Sequence, residues 1–373
     1  MSQITLAIDP GGSYSKCFYT LESFKPELIL MEPEVATVPL ESLQAYEESK
    51  IGNSSPENSA WIQYQGKSQS VGFLARKRFY ADLQLQKRKF ELALPKVLAI
   101  VGAIAEKHNL PNDSSINLGM LLPWGEYQDR VLFKDLVTKA LEDYYFKENH
   151  KSFKVNTFLC LPEGGGILTR GRAPGSSIKD QTIAVVMLGY RDTSVLLVER
   201  GEMREGKTAS LGFSKMIDAV IGQTSGLNAT QLVPAICKAG TNINVKYFDD
   251  LVNLEGDYKK YELEKIRSAV DNGRKEYWMM LSNWLSLQIP KEVDEIMVSG
   301  GTANYFKSHI TKYFKGKKIN WCDTLESQLS SNFSQVQAKS LQYRLTDVYG
   351  LFFYLCGNAA KNKLGTAKGT ANG

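Results

Sequence analysis

Asp9-Pro10-Gly11-Gly12-Ser13-Tyr14-Ser15-Lys16 is the segment of this 373-residue chain whose residue types most directly suggest chemistry. An apolar run, Ile4 to Ile8, delivers a carboxylate, and a glycine turn follows at once. Glycines let backbone N–H groups come close to an anion and converge on it as a nest. Ser13 and Ser15 offer hydroxyl donors, and Lys16 adds a positive charge. Asp9 would repel an anion. Its use would be to hold a metal ion through water, because magnesium keeps several waters when it bridges phosphates. The same string also reads as an ordinary hairpin with a good turn, and it contains neither a Walker A motif nor a GxGxxG after the strand.

Two further glycine turns extend the pattern. Gly189-Tyr190-Arg191-Asp192-Thr193 closes a second strand–turn–strand half a chain later. Gly300-Gly301-Thr302 ends a short apolar strand and opens a helix, which permits close backbone approach to a flat ligand. Positioning these turns requires strands before them, and the apolar runs at 4–8, 183–188 and 295–299 supply them. The repeat of a strand–turn–strand opening suggests two halves built on one plan.

The remaining pattern alternates strands and helices, which argues for an α/β protein. Helical periodicity predicts helices over 90–108, 132–146, 214–221, 229–238, 258–288 and 303–314, and a last one starting near Asp347 as N-cap. Strands are predicted over 116–122 and 153–161, and a Gly/Arg/Pro/Ser-rich loop over 163–178. Residues 41–70 are polar and irregular and suggest an insertion or mobile subdomain, and residues 358–373 suggest a disordered tail.

Composition narrows the classes. The five cysteines are scattered without a CxxC pair, against a disulfide framework or structural zinc, and the three histidines form no metal or triad pattern. A net charge of +5 is too small to predict nucleic-acid binding by itself. No apolar run is long enough to span a bilayer, and no signal peptide is read at the N-terminus, so a cytoplasmic location is expected. The runs Arg76-Lys77-Arg78 and Lys87-Arg88-Lys89 read as solvated charge, and Trp278, Met279, Met280 and Trp284 as core.

The three turns, in this order and spacing, resemble the actin/Hsp70/sugar-kinase superfamily, and within it the ParM (StbA) branch of bacterial actins. Leu118-Gly119-Met120-Leu121-Leu122-Pro123-Trp124-Gly125-Glu126-Tyr127 is similar to that branch's "LP…EY" segment, and Leu161-Pro162-Glu163-Gly164-Gly165-Gly166 to its "PE…G" loop. Ser210-Leu211-Gly212-Phe213 is similar to its "S-LG" turn, and Leu345-Thr346-Asp347-Val348-Tyr349-Gly350-Leu351 to its closing helix. The resemblance implies an α/β, actin-like (ribonuclease H-like) two-domain fold with a nucleotide cleft between duplicated halves. Domain I would hold residues 1–176 and 345–373, and domain II residues 177–344.

By resemblance, ATP or GTP with magnesium is the implied ligand, and Asp9 would organise the metal through water. Gly11, Gly12, Ser13, Ser15 and Lys16 would bind phosphates, joined by Gly189, Tyr190 and Arg191. Gly300, Gly301 and Thr302 would contact the nucleoside, and Arg274 and Lys275 fall where a base meets the adenine edge. Glu163 would position the attacking water, as a carboxylate beside a glycine loop can. The family has Asp-x-Gly in the second hairpin, where this chain has Met187-Leu188-Gly189, and a thioether cannot enter the water shell of a hard cation. Slow hydrolysis is therefore expected. The implied partners are further copies of the chain, in a head-to-tail filament, and a small DNA-binding adaptor, with no direct sequence-specific contact to nucleic acid. A plasmid-segregation or cytoskeletal filament is the leading reading. A small-molecule kinase of the same superfold, or a nucleotide-binding scaffold without hydrolysis, stands beside it.

Overall fold

The apolar run that ends at Asp9 is a strand covered on both faces: Ile4, Leu6, Ala7 and Ile8 are fully buried. The computed structural model describes residues 3–21, 25–171 and 178–369, without the side chains of 170 and 359–369. The chain divides into two units, Met1–Pro174 with Asp323–Gly373, and Gly175–Cys322.

The first unit opens with strands β1 (Gln3–Pro10), β2 (Ser15–Thr20), β3 (Glu27–Met31) and β4 (Val35–Thr37). Helix α1 (Leu40–Ser49), strands β5 (Trp61–Tyr64) and β6 (Lys67–Val71), and helices α2 (Phe73–Arg78) and α3 (Lys89–Lys107) follow. Next come β7 (Ser114–Leu122), α4 (Trp124–Tyr127), α5 (Arg130–Glu142), β8 (Tyr144–Phe146), β9 (Asn149–Lys151), β10 (Phe153–Pro162) and α6 (Gly165–Arg170). The second unit contains β11 (Thr182–Leu188), β12 (Thr193–Glu199), β13 (Glu202–Ala209), α7 (Phe213–Ile221), α8 (Ala229–Ala239) and α9 (Gly256–Gln288). It closes with β14 (Glu295–Ser299), α10 (Gly301–Tyr305), α11 (Lys307–Tyr313) and β15 (Lys318–Asn320). The chain then returns to the first unit as α12 (Asp323–Asn332), α13 (Ser334–Ala338) and α14 (Thr346–Gly369).

Each unit is built on the same sheet. In the first, the order is β10-β7-β1-β2-β3; in the second, read from the other edge, it is β15-β14-β11-β12-β13. In each, the opening strand pairs antiparallel with the next strand and parallel with the later one, β7 or β14. The duplication expected from the two strand–turn–strand segments is thus a shared topology of five strands.

Several expectations need correction. Residues 41–70 are not irregular: α1, β5 and β6 lie here, and β4-β6-β5-β8-β9 form a third sheet over a small core of Val38, Leu43, Trp61 and Leu74. The helix expected over 132–146 stops at Glu142, because the aromatic run Tyr144–Phe146 pairs with β5 as a strand. A helix, α6, stands inside the expected loop, and Phe306 interrupts the helix expected over 303–314. The first unit resumes at Asp323 and not at 345, because α12 and α13 pack there: Asn332 Nδ2 donates to the Tyr349 hydroxyl (2.9 Å), and Phe333 and Tyr349 both lie against Phe18. The closing helix runs to Gly369 through the stretch expected to be a disordered tail, in line with its content of Ala, Leu and Lys, all good helix formers. Residues 370–373 and the expected crossing at 176/177 lie outside the described residues.

The "PE…G" loop and the closing helix touch at two glycines. A Cβ on Gly166 would fall 1.9 Å from the Asp347 carbonyl oxygen, and one on Gly350 would fall 2.3 Å from the Gly166 carbonyl oxygen. Backbone therefore meets backbone, with no flexible side chain to yield. Gly166→Ala is expected to destabilise the fold by about 3 kcal/mol, seen as a lower denaturation midpoint, through overpacking.

Candidate functional site

Strands β1, β7 and β10 are parallel, so their carboxyl ends share one edge of the sheet, the edge where open α/β sheets carry ligands. Asp9 stands at the end of β1, and Glu163 directly follows β10. The hairpin register sets Lys16 opposite Asp9. Four charged side chains meet here in alternating sign. Lys16 Nζ donates to Asp9 Oδ2 at 2.6 Å, Lys89 Nζ to Asp9 Oδ1 at 2.6 Å, and the same Lys89 ammonium to Glu163 Oε1 at 2.5 Å.

The row is sheltered: Lys89 is 6% exposed and the Glu163 side chain 19%. Burial works against the Asp9 charge, but the ammonium groups of Lys16 and Lys89 outweigh it and hold the carboxyl well below the usual range. Burial likewise works against the Lys89 ammonium, and Asp9 with Glu163 more than offsets that, pushing its pKa up.

Three ties fix the backbone under these charges. Glu126, from the "LP…EY" segment, caps α3: its Oε1 accepts the Lys89 amide and its Oε2 the Phe90 amide, both at 2.8 Å. The Glu163 amide donates to the Leu122 carbonyl at 2.8 Å. Asp347 does not cap its own helix as expected. Its carboxylate accepts the amides of Gly164 (2.7 Å), Gly166 (2.8 Å) and Ile167 (3.1 Å), and so caps α6 from outside. Burial, with the negative charges of Asp9 and Glu163 acting against the Gly164 and Ile167 amides, raises Asp347 to about 7.

The glycine turn itself is also tied. The Gly11 amide donates to the Asp9 carbonyl at 2.8 Å, and Arg344 donates to the Ser13 hydroxyl at 2.6 Å while its guanidinium lies 5.2 Å from the Tyr14 ring centre. Ser15 is fully buried, and its hydroxyl has no hydrogen-bond partner among the described residues.

In the second unit the turns are backbone structures. Gly189 donates its amide to the Asp192 carbonyl at 2.9 Å, and its carbonyl accepts the Thr302 hydroxyl at 2.7 Å and the Phe213 amide at 3.1 Å. Gly300 has φ +113°, and a Cβ there would lie 2.2 Å from the Leu188 carbonyl oxygen, so only glycine fits. The three motifs Gly189–Thr193, Ser210–Phe213 and Gly300–Thr302 thus form one knot. Met187 faces Ser194 across the hairpin, and Ser194 shares a 3.0 Å hydrogen bond with Thr208. Asp192 is held by Arg191 at 2.6 Å. Arg274 and Lys275 both pair with Asp271 at 2.6 Å.

The donor set suits a polyanion. The Lys16 ammonium and the Arg344 guanidinium stand at a glycine turn, with the buried Ser15 hydroxyl unpartnered among the described residues. It does not suit a metal ligated directly by protein. Both Asp9 oxygens are engaged by ammonium groups, and no group of three or more His, Cys, Asp or Glu among the described residues could hold an ion. A metal carried by phosphates and touched by Asp9 through water is the arrangement these residues fit.

Asp9, Lys16 and Glu163 therefore come together within the first unit, and Gly189, Gly300 and Thr302 within the second. Sequence reading missed Lys89, Glu126, Arg344 and the role of Asp347. Lys89 corrects the reading of residues 87–89 as solvated charge; the sign available in the sequence was its place at the start of a strongly apolar helix.

No protein-family model matches the chain. No curated relative matches it either. Solved structures do. The crystal structure of actin-like protein Alp7A aligns with a TM-score of 0.65 at 12% identity, over 98% of this chain and 100% of that one. A non-polymerisable quadruple mutant of pCBH ParM aligns at 0.60 and 13% identity, over 94% and 98%. The Alp12 filament structure aligns at 0.55 and 15% identity, over 96% and 99%. No helix among the described residues is long and apolar enough to cross a membrane.

Glu126→Ala leaves two helix amides without their acceptor and is expected to cost about 1–2 kcal/mol, read by denaturant unfolding. Asp347 carries a pH signature. Its pKa rises from an ordinary 3.8 to about 7 on folding, so the folded state retains a proton that the unfolded chain releases. Its contribution is complete below about pH 4 and is lost as pH rises toward 7. Wild-type melting temperature is expected to fall more steeply over that window than that of Asp347→Asn.

Proposed function

We propose that this chain, which has the actin-like two-domain fold, binds a nucleoside triphosphate and assembles head-to-tail into filaments in a nucleotide-dependent way. The observation that carries this reading is the buried row Lys16–Asp9–Lys89–Glu163 at the carboxyl ends of parallel strands, beside a glycine turn. Gly11, Gly12, Ser13, Ser15 and Lys16 are assigned to the phosphates, with Gly189, Tyr190 and Arg191 of the second unit. Gly300, Gly301 and Thr302 are assigned to the nucleoside, at the turn where β14 passes into α10.

Magnesium brought by the phosphates would neutralise charge on the phosphoryl oxygens, with Asp9 touching it through water. Glu163 orients the attacking water without covalent chemistry. Met187 leaves the second hairpin without the carboxylate that would complete the metal's water shell, so hydrolysis of ATP or GTP is slow and serves as a timer for disassembly. One structural neighbour was solved as a filament. Plasmid segregation or a bacterial cytoskeleton in the cytoplasm, with a small DNA-binding adaptor as partner, is the setting this reading favours.

Right-angle light scattering with and without ATP or GTP, with phosphate release followed in parallel, tests the proposal. Scattering should rise on adding triphosphate and decay as phosphate appears, and Asp9→Ala should weaken nucleotide binding about tenfold and suppress assembly with it. Phosphorylation of a small-molecule hydroxyl with no rise in scattering would reverse the conclusion in favour of a kinase.

A further inference from the structure

Lys87, Arg88 and Lys89 are adjacent in sequence but differ in setting. The Arg88 side chain is 58% exposed and pairs with Glu91 and Asp129 at the surface, whereas Lys89 is 6% exposed and pairs with Asp9 and Glu163. Burying an ammonium is costly even when it is paired, and an apolar residue of similar length commonly serves stability as well or better. A lysine at this position is therefore better explained by what it holds than by the fold it stabilises.

What it holds is Glu163. The acid sits near the carboxylate of Asp9, which shares the same Lys89 ammonium and carries the like charge that would drive it outward, and its side chain already reaches solvent. Lys16 is engaged by Asp9, and the Glu126 carboxylate by the α3 amides, so Lys89 is the cation that meets Glu163 in this cluster. Both ends of the contact are fixed from the backbone. Glu126 secures the Lys89 amide, while the Leu122 carbonyl and Asp347 secure Glu163 and Gly164. The contact is built from outside on each side.

We propose that Lys89 is a positioning residue for nucleotide hydrolysis, acting through Glu163 by holding its carboxylate at the Asp9 end of the phosphate loop. The proposal rests on the nucleotide-hydrolysing reading given above. It assigns Lys89 neither to phosphate binding nor to the chemical step.

The test is a double-mutant cycle in the full chain, using Lys89→Met, Glu163→Gln and the pair. Affinity for a fluorescent ATP analogue, melting temperature, and phosphate release in a single turnover are measured for each. Lys89→Met is expected to slow phosphate release about 30-fold while changing nucleotide affinity less than about threefold, the split that marks a role outside ground-state binding. In the Glu163→Gln background the same change should cost less than about threefold, because the group Lys89 acts through is already disabled. Lys89→Arg, which keeps the charge, should recover part of the loss. Should Lys89→Met fail to fold, Lys89→Gln carries the same cycle. Equal losses of affinity and rate, or the same penalty with and without Glu163, would overturn the proposal while leaving the nucleotide function standing. A wild-type chain that binds no nucleotide, or binds it without releasing phosphate over hours, would remove the hydrolysing reading and this role together.

Discussion

A charge can be kept out of water only if another charge answers it, and the first unit satisfies that constraint with a row of four: Lys16, Asp9, Lys89 and Glu163. Each interior member has a partner of opposite sign on both sides, so neither Asp9 nor Lys89 bears its burial alone. The row could not form from one element. It needs the β1–β2 register to set Asp9 against Lys16, the first residue of α3 to reach the same carboxylate, and the end of β10 to bring Glu163 two strands away from β1. Much of the local structure can be read as the means of meeting those three demands. Glu126 fixes where α3 starts, and the apolar stripe of α3, with Val97, Leu98, Val101 and Ile104 buried, fixes where the helix lies.

A second constraint comes from the return of the chain. Residues 342–347 arrive from the far side of the sequence and touch both loops of the site, Arg344 at Ser13 and Asp347 at the amides of Gly164, Gly166 and Ile167. The Gly166–Gly350 contact leaves no slack between α6 and α14. The Gly11–Gly12 turn and the Glu163 loop are therefore not independent surface loops. They are linked through the short segment 342–347 that leads into the first turn of α14. A buried acid raised to about 7 sits at that link, where a change in the charge of the loops alters how firmly it holds its proton.

The legibility of this arrangement in sequence follows from how local each part is. Asp9, Lys16 and the glycine turn lie within eight residues on one hairpin, so residue type and spacing suffice to suggest them. Glu163 was identified through likeness to a loop motif, and the sheet explains it afterwards by ending β10 beside β7 and β1. Lys89 was hidden because burial is a tertiary property: Lys87-Arg88-Lys89 carries three like charges in a row, and nothing local distinguishes the one that turns inward. Asp347 misled for a related reason. An Asp at a helix start suits an N-cap, but here the capped helix is α6, nearly two hundred positions earlier. The strand Tyr144–Phe146 was absorbed into a helix because its apolar spacing continued that of α5, and only pairing with β5 gives it another conformation.

The two units show how one topology can divide its labour. Both sheets order five strands alike, and both end their opening strand at a glycine turn. The first ends it on a carboxylate inside an ion row; the second ends it on Met187-Leu188-Gly189, with the neighbouring polar groups already committed, Ser194 to Thr208 and Asp192 to Arg191. What the second turn keeps is backbone: the Gly189 carbonyl held by Thr302 and Phe213, and a Gly300 that admits no side chain. Backbone groups bind without changing charge and cannot replace a carboxylate in a cation's hydration shell. The buried ion row is therefore a feature of the first unit, and Lys89, placed between Asp9 and Glu163, is the cation that joins its two acids.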